Sequence, residues 1–327
     1  MFGLDLKDKA TFFRQFATLI QSGVPVVGCL DVLSGSSSGK IREIIAGIRP
    51  MIVGGKSFAD ALSTFPNYFE PHILQLIRAG ETSGKLEVNL NNIAAYLERT
   101  YEMRQQLISK MIYPLLLIHA GFLIPPISVL ILKGGAAYFK VAILPLMGLY
   151  VIVFCFYFLY SYMLTISGAR EAADALFLYI PLLGSFLRAQ AVYRYLTVLS
   201  DMTEAGVGLD LALQLSADAC GNYAVGAVFN AIRMHVVEGR SLSEMLARTR
   251  LIPTPALHLI RTGEQSGNLP FMLGKAAEML GMEVNETLKR VFTVIPVIFY
   301  LGTAAYMGYI IITSFMIIYR PIFDINK

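Results

Sequence analysis

Three kinds of residue in this chain have the chemistry to act on a small molecule, and spacing argues against each. Gly55-Lys56-Ser57 resembles the end of a phosphate-cradling loop. Such a loop also needs a glycine five positions earlier and a buried strand before it, and Pro50 stands where that glycine belongs. The tripeptide reads instead as the capped start of a helix, so ATP hydrolysis by this chain is not expected. His72, His119, His235 and His258 form no ligand-spaced pair, and Cys29, Cys155 and Cys220 are isolated. Neither a zinc site nor a disulfide framework is indicated. No Ser/His/Asp or Cys/His arrangement is visible, so no catalytic residue, cofactor or metal is expected.

What the chain does carry is one phrase written twice. Leu76-Ile77-Arg78-Ala79-Gly80-Glu81-Thr82-Ser83-Gly84-Lys85-Leu86 returns 183 positions later as Leu259-Ile260-Arg261-Thr262-Gly263-Glu264-Gln265-Ser266-Gly267-Asn268-Leu269, with eight of eleven residues identical. A match of that density marks an internal duplication. Arg78, Gly80, Glu81 and Gly84, with Arg261, Gly263, Glu264 and Gly267, are the candidate site. Gly80 and Gly263 suit left-handed residues just past a helix end, with Gly84 and Gly267 in the turn that follows. Ser83 and Ser266 are placed to cap the next helix. Two readings stand side by side. One is a structural corner with local Arg78–Glu81 and Arg261–Glu264 ion pairs. The other is a contact surface for a partner protein.

The elements that position this phrase are helices. Phe12, Phe13, Phe16, Leu19 and Ile20 recur at helical spacing before Gly23, as Tyr195, Leu196, Leu199 and Met202 do before Gly206. Pro25 opens the next helix. Ser57 with Asp60 and Ser241 with Glu244 read as helix N-termini, the second pair fitting a capping box. Pro71 and Pro255 suit first turns. Leu86, Leu90, Ile93 and Leu97 form an apolar stripe, with Glu98, Arg99, Glu102 and Arg104 off it. Strand signals are poor.

Apolar residues are 55% of the chain and charged residues 15%, against about a quarter charged in a soluble domain. Residues 111–132, 141–166 and 291–319 contain no Asp, Glu, Lys or Arg, and each exceeds the roughly 20 apolar residues that span a bilayer. Tyr113, Tyr138, Tyr162, Tyr300 and Tyr319 lie at or near their ends, as interfacial aromatics do. The predicted organisation is an all-α membrane protein with two homologous helical-bundle domains and three transmembrane helices. Residues 1–111 form the first domain and 112–132 the first span. A short loop, 133–140, precedes the second span, 141–166. The second domain is 167–290, the third span 291–319, and 320–327 a tail.

Two spans separate the domains, so both lie on one face of the membrane. Seven Lys/Arg stand near the spans on that face (Arg99, Arg104, Lys110, Arg170, Lys275, Lys289, Arg290) against four on the other (Lys133, Lys140, Arg320, Lys327), which favours cytoplasmic domains. Met1–Ala10, charged at Asp5, Lys7, Asp8 and Lys9, lacks the apolar core of a signal peptide and agrees. A net charge of +4 gives no reason to expect nucleic acid as a partner.

Within the spans, His119 is expected as a neutral imidazole bonded to a neighbouring helix. Pro114 and Pro125-Pro126 predict a bend and a break. The break reads as a kink relieved by packing or as a hinge or groove. Gly302 and Gly308, with Thr303, Ala304 and Ala305, offer a small-residue face suited to self-association. A small transporter or channel subunit is the competing reading, but the spans carry no chain of acids for a proton-coupled carrier.

Two copies of Gly-Glu-x-Ser-Gly-x-Leu, each closing a helical domain, with Met111-Ile112-Tyr113-Pro114 opening the first span, resemble the type II secretion F family (the GspF/PilC group) over essentially the whole chain. Its members are platform proteins of the bacterial inner membrane in type II secretion and type IV pilus assembly. The resemblance implies a non-enzymatic scaffold that couples a cytoplasmic assembly ATPase to polymerisation of prepilins or pseudopilins. The implied partners are that hexameric ATPase, the prepilins or pseudopilins, other inner-membrane platform proteins, membrane lipid and further copies of the chain. It also implies equivalent corners at Gly80, Glu81 and Gly84 and at Gly263, Glu264 and Gly267. Some members are associated with a cation near the first corner. Lys85 stands here where an acid would serve, so no metal site is carried over.

Overall fold

The computed structural model describes residues 4–163 and 169–325. The predicted end of the second span (164–166), the predicted start of the second domain (167–168) and Lys327 lie outside the described residues, as do the side chains of Arg170, Tyr319 and Arg320.

The chain is helical throughout, with no strand among the described residues. The first copy runs α1 (Leu6–Gln21), α2 (Val26–Ser36), α3 (Gly39–Val53), α4 (Phe58–Ser63), α5 (Pro71–Ser83) and α6 (Leu86–Leu123). Between the copies come α7 (Ile127–Lys133), α8 (Gly135–Tyr138), a π-helical turn (Phe139–Ile143), α9 (Leu144–Met163) and α10 (Ala169–Leu178). The second copy repeats the first six elements as α11 (Leu183–Glu204), α12 (Leu209–Ala219), α13 (Tyr223–Val237), α14 (Leu242–Thr249), α15 (Thr254–Ser266) and α16 (Leu269–Ile325). The duplication is therefore one of helix order as well as of sequence. α1 and α11 each stop two residues before Gly23 and Gly206. Pro71 and Pro255 fall within the first two positions of α5 and α15.

Two compact units emerge, Met1–Gln105 with Asp174–Glu286, and Gln106–Ala173 with Thr287–Lys327. The first holds both bundles. Its first-copy core is aromatic. Phe13 and Phe16 are fully buried, Phe16 stacks on Phe58 at 4.7 Å, and Phe13 meets Phe69 edge-on at 5.9 Å. Each such burial contributes about 1.5–3 kcal/mol. In the second copy Tyr195 stacks on Phe229 at 3.8 Å. The copies pack on each other where α11 and α12 meet α5.

In the second unit, α6 runs unbroken through Pro114 and ends before Pro125-Pro126, where the predicted break occurs. His119 is bonded to a neighbouring helix, as expected. Its Nδ1 lies 2.7 Å from the Leu115 carbonyl oxygen, which only accepts, so Nδ1 carries the proton. Nε2 then accepts from the Tyr150 hydroxyl of α9 at 2.6 Å. Tyr138 donates to the Leu123 carbonyl at 3.1 Å, and Tyr306 donates to the Val141 carbonyl. A Cβ at Gly302 or Gly308 would meet nothing within 4 Å among the described residues. Among the described residues three stretches, Leu86–Ile131, Gly135–Leu159 and Leu269–Thr313, are long and apolar enough to cross a membrane.

Candidate functional site

The doubled phrase forms two corners of the same construction. In each, a short helix begins with a serine cap. Ser57 Oγ accepts from the Asp60 amide at 3.0 Å, and Ser241 Oγ accepts from the Glu244 amide at 3.3 Å. A serine satisfies one of the orphan N–H groups at a helix start, and the glutamate of the phrase takes two more. Glu81 accepts from the Phe58 amide at 2.6 Å and the Ala59 amide at 3.1 Å. Glu264 accepts from the Leu242 amide at 2.5 Å and the Ser243 amide at 3.0 Å, and from the Ser241 hydroxyl at 2.8 Å. Negative charge at this end also meets the positive pole of the helix. The acid's work is thus to pin α4 against α5, and α14 against α15, from more than twenty residues away.

This corrects four local expectations. Glu81 does not pair with Arg78, because its oxygens already hold amides; Arg78 reaches Asp60 at 2.6 Å instead. Arg261 forms no ion pair with Glu264, and Glu244 is bridged by Arg248 at 2.8 Å. The capping box at Ser241 is consequently half made: Glu244 turns to Arg248, and the distant Glu264 takes the Leu242 and Ser243 amides instead. Ser83 does not cap α6; it ends α5 and donates back to the Ala79 carbonyl at 2.7 Å.

The glycines divide their labour differently from the expectation. Gly84 and Gly267 are the left-handed caps, both at φ 72°. Gly80 and Gly263 lie inside their helices, buried, where the next helix crosses. A Cβ on Gly80 would sit 2.9 Å from Leu86 Cα and 3.1 Å from Asn89 Nδ2. One on Gly263 would sit 2.8 Å from Met272 Cβ and 3.1 Å from Leu269 Cα. These glycines let α6 and α16 leave the corner in close contact with the helix just completed.

Electrostatically the second corner is settled. Burial pushes the Glu264 carboxyl up, but hydrogen bonds from Ser243, Ser241 and the Leu242 amide outweigh it and leave its pKa below the usual value. A carboxylate so engaged is neither a free base nor a ligand. Ser241, Ser243, Glu244, Arg261, Glu264 and Gln265 line an open cleft beside the second corner. Among the described residues no group of three or more His, Cys, Asp or Glu is placed to hold a metal ion.

Several polar residues that organise the bundles escaped the sequence reading. Asn89 is buried and donates to the Leu76 carbonyl at 2.8 Å, tying α6 to the phrase. It stands three residues after Leu86, on the apolar stripe, and a polar residue on that face was the signal. Arg14 holds Glu98 through two hydrogen bonds, at 2.8 and 2.6 Å, and Asn91 at 3.0 Å, joining α1 to α6. Lys9, itself buried, bridges Glu70 at 2.9 Å. Asp201 of α11 is pushed up to about 7 by burial, then by Glu204, against the pull of Arg99 on α6. Burial lowers His72 to about 4, so it is neutral inside the bundle. Nothing in the local sequence around Asp201 or His72 marks them, since the largest cause of each shift is burial in the folded bundle.

With this geometry in hand, likeness to known proteins becomes informative. The family described as Type II secretion system (T2SS), protein F matches twice, over residues 12–132 and 195–317. Each match takes in one helical copy and the apolar helix that follows it. A type IV pilus assembly protein, PilC, of Myxococcus xanthus is 29% identical, covering 99% of this chain and 81% of its own. The PilC of Thermus thermophilus is 28% identical over 98% of this chain and 84% of its own. A type II secretion system protein F of Vibrio cholerae is 29% identical over 84% of this chain and 73% of its own. The chain belongs to the type II secretion system protein F family.

Proposed function

We propose that this chain is an inner-membrane platform protein of a type IV pilus or type II secretion machine. The observation that carries the reading is the double family match, which falls on the two copies of the bundle and on the apolar helices leaving them. Relatives named as pilus assembly proteins and as secretion protein F cover almost all of this chain. Both helical domains face the cytoplasm, and residues 112–132, 141–166 and 291–319 cross the bilayer. The domains receive the motion of a hexameric assembly ATPase, and the membrane helices meet prepilins or pseudopilins and other platform proteins. Catalysis belongs to the ATPase, and this chain transmits force as a scaffold.

In this reading each corner keeps a bundle aligned with the helix that leads from it toward the membrane. Arg78 and Arg261, exposed beside the corners, are the residues of the phrase that meet a partner. A clean deletion should abolish piliation or secretion, and the assembly ATPase should co-purify with the tagged full chain. Normal filament assembly in the deletion strain would overturn the proposal. Alkaline phosphatase fused near Gly135 should be active and near Ser216 inactive; the opposite pattern would invert the orientation.

A further inference from the structure

The described residues at the end of α10 face the wrong way for a bundle. Asp174 points inward: it is 6% exposed and accepts from the Tyr223 amide at 2.7 Å. Apolar residues of α10 and just after it point outward, with Leu176 at 66%, Tyr179 at 86% and Ile180 at 41% exposure. This display is not a loose loop. The Gly184 amide donates to the Ile180 carbonyl at 2.7 Å. Arg188 donates to the Leu178 and Gly184 carbonyls. Leu182 takes a left-handed φ of 68°, and Gly184 lies so near Leu178 that any side chain there would collide with the Leu178 carbonyl. Backbone strain and close contact therefore hold three large apolar side chains out in the open.

We propose that Leu176, Tyr179 and Ile180 form a membrane-surface anchor, seated in the headgroup–acyl boundary of the bilayer on the side of the helical domains. Three features select lipid. The segment lies next in the chain to the apolar stretch Gly135–Leu159, so it re-enters the bundle close in sequence to a bilayer crossing. Its composition is that of an interface, with a tyrosine flanked by aliphatics. Three side chains are too few for a stable protein interface, which takes about 800 Å² from each partner. A lipid surface needs no matching partner area. The inference rests on the membrane reading of the spans and not on the machine the protein serves.

The chain contains no tryptophan, so Tyr179→Trp places a single indole at the tip of the patch. The full-length variant is reconstituted in phosphatidylethanolamine–phosphatidylglycerol vesicles containing brominated phosphatidylcholine. Its emission should be lost to bromines near the carbonyl end of the acyl chains more than to bromines near the methyl end, as for a side chain about 5–10 Å into the boundary. Leu176→Trp should behave alike. Tyr157→Trp, in the second apolar stretch, should be quenched by either bromine position and reports that the protein has inserted. Quenching of Tyr179→Trp by aqueous iodide alone would overturn the anchor. So would protection from both quenchers, which would mean that protein covers the patch. Loss of bromine quenching at Tyr157→Trp would overturn the membrane reading itself and is separable from both.

Discussion

Replacing Glu81 by alanine strips two backbone amides at the start of α4 of their acceptor, and its effect can be worked from the geometry. Hydrogen bonds to a charged group are each worth about 1.5–3 kcal/mol when buried, and loss of a cap costs about 0.5–2 kcal/mol. Glu81 is only half-buried, so water replaces part of what is lost, and about 1–2 kcal/mol remains. α4 has six residues and cannot persist by its own propensity, so the loss falls on the local docking of residues 57–64 onto α5. Hydrogen–deuterium exchange of the full chain in detergent reads this directly. At about 1.4 kcal/mol per tenfold, protection of peptides over 57–64 should fall about 5- to 30-fold, with α1 and α6 little changed. Glu81→Gln keeps one acceptor and should lose less, while Glu81→Arg puts a cation at the helix's positive end and should lose more. Glu264→Ala should cost more than Glu81→Ala, because Glu264 also accepts from the Ser241 hydroxyl. Unchanged protection over 57–64 in Glu81→Ala would refute the capping role. A purely partner-facing Glu81 would show that result together with failed assembly.

The two kinds of glycine should separate on substitution. Gly80→Ala and Gly263→Ala force backbone apart from backbone and should each cost about 1–3 kcal/mol, whereas Gly84→Ala meets open space and should cost only about 1 kcal/mol of left-handed strain; thermal midpoints of the purified chain rank them. Asp201 and His72 should give opposing pH slopes. Asp201 keeps its proton in the folded state up to about 7, while an unfolded chain releases it near 3.8, so its contribution to stability falls as pH rises between those values. His72 takes a proton near 6.5 when unfolded but only near 4 when folded, so its contribution is lost as pH falls through that window. Asp201→Asn should therefore make stability rise more steeply from pH 4 to 7 than it does in the parent, and denaturant midpoints across that range check it.

The fold was legible wherever sequence carries local structure. The Ser57 and Ser241 caps, prolines in first turns and the stops before Gly23 and Gly206 are written within one or two turns of chain, and the structure places them there. The duplication predicted the matching order of α1–α6 and α11–α16. The interior of the corner was less legible, because its contacts are not local. Glu81 lies three residues after Arg78, an ordinary spacing for a helical ion pair, and only the folded position of α4 shows that its oxygens are taken by amides. Gly80 and Gly84 look alike as letters. One is needed for a crossing helix and the other for a positive φ, and the first need exists only once α6 has packed.

The two copies agree in what holds a corner together and differ in what they show to solvent. Gly80 and Gly263, Glu81 and Glu264, Gly84 and Gly267 do the same work in each. Around them the ties have diverged. Arg14 and Glu98 join α1 to α6 in the first copy. In the second, Thr197 and Gly281 stand at the matching positions, and Gly281 lets α16 approach the Tyr193 ring, where an added Cβ would lie 3.2 Å from the ring edge. Arg78 is engaged by Asp60 in the first copy. In the second, Glu244 turns to Arg248 and Arg261 is left facing its cleft. Exposed ion pairs contribute little stability, so these differences alter the surface of each copy more than its folding. One scaffold made twice thus offers two unlike surfaces.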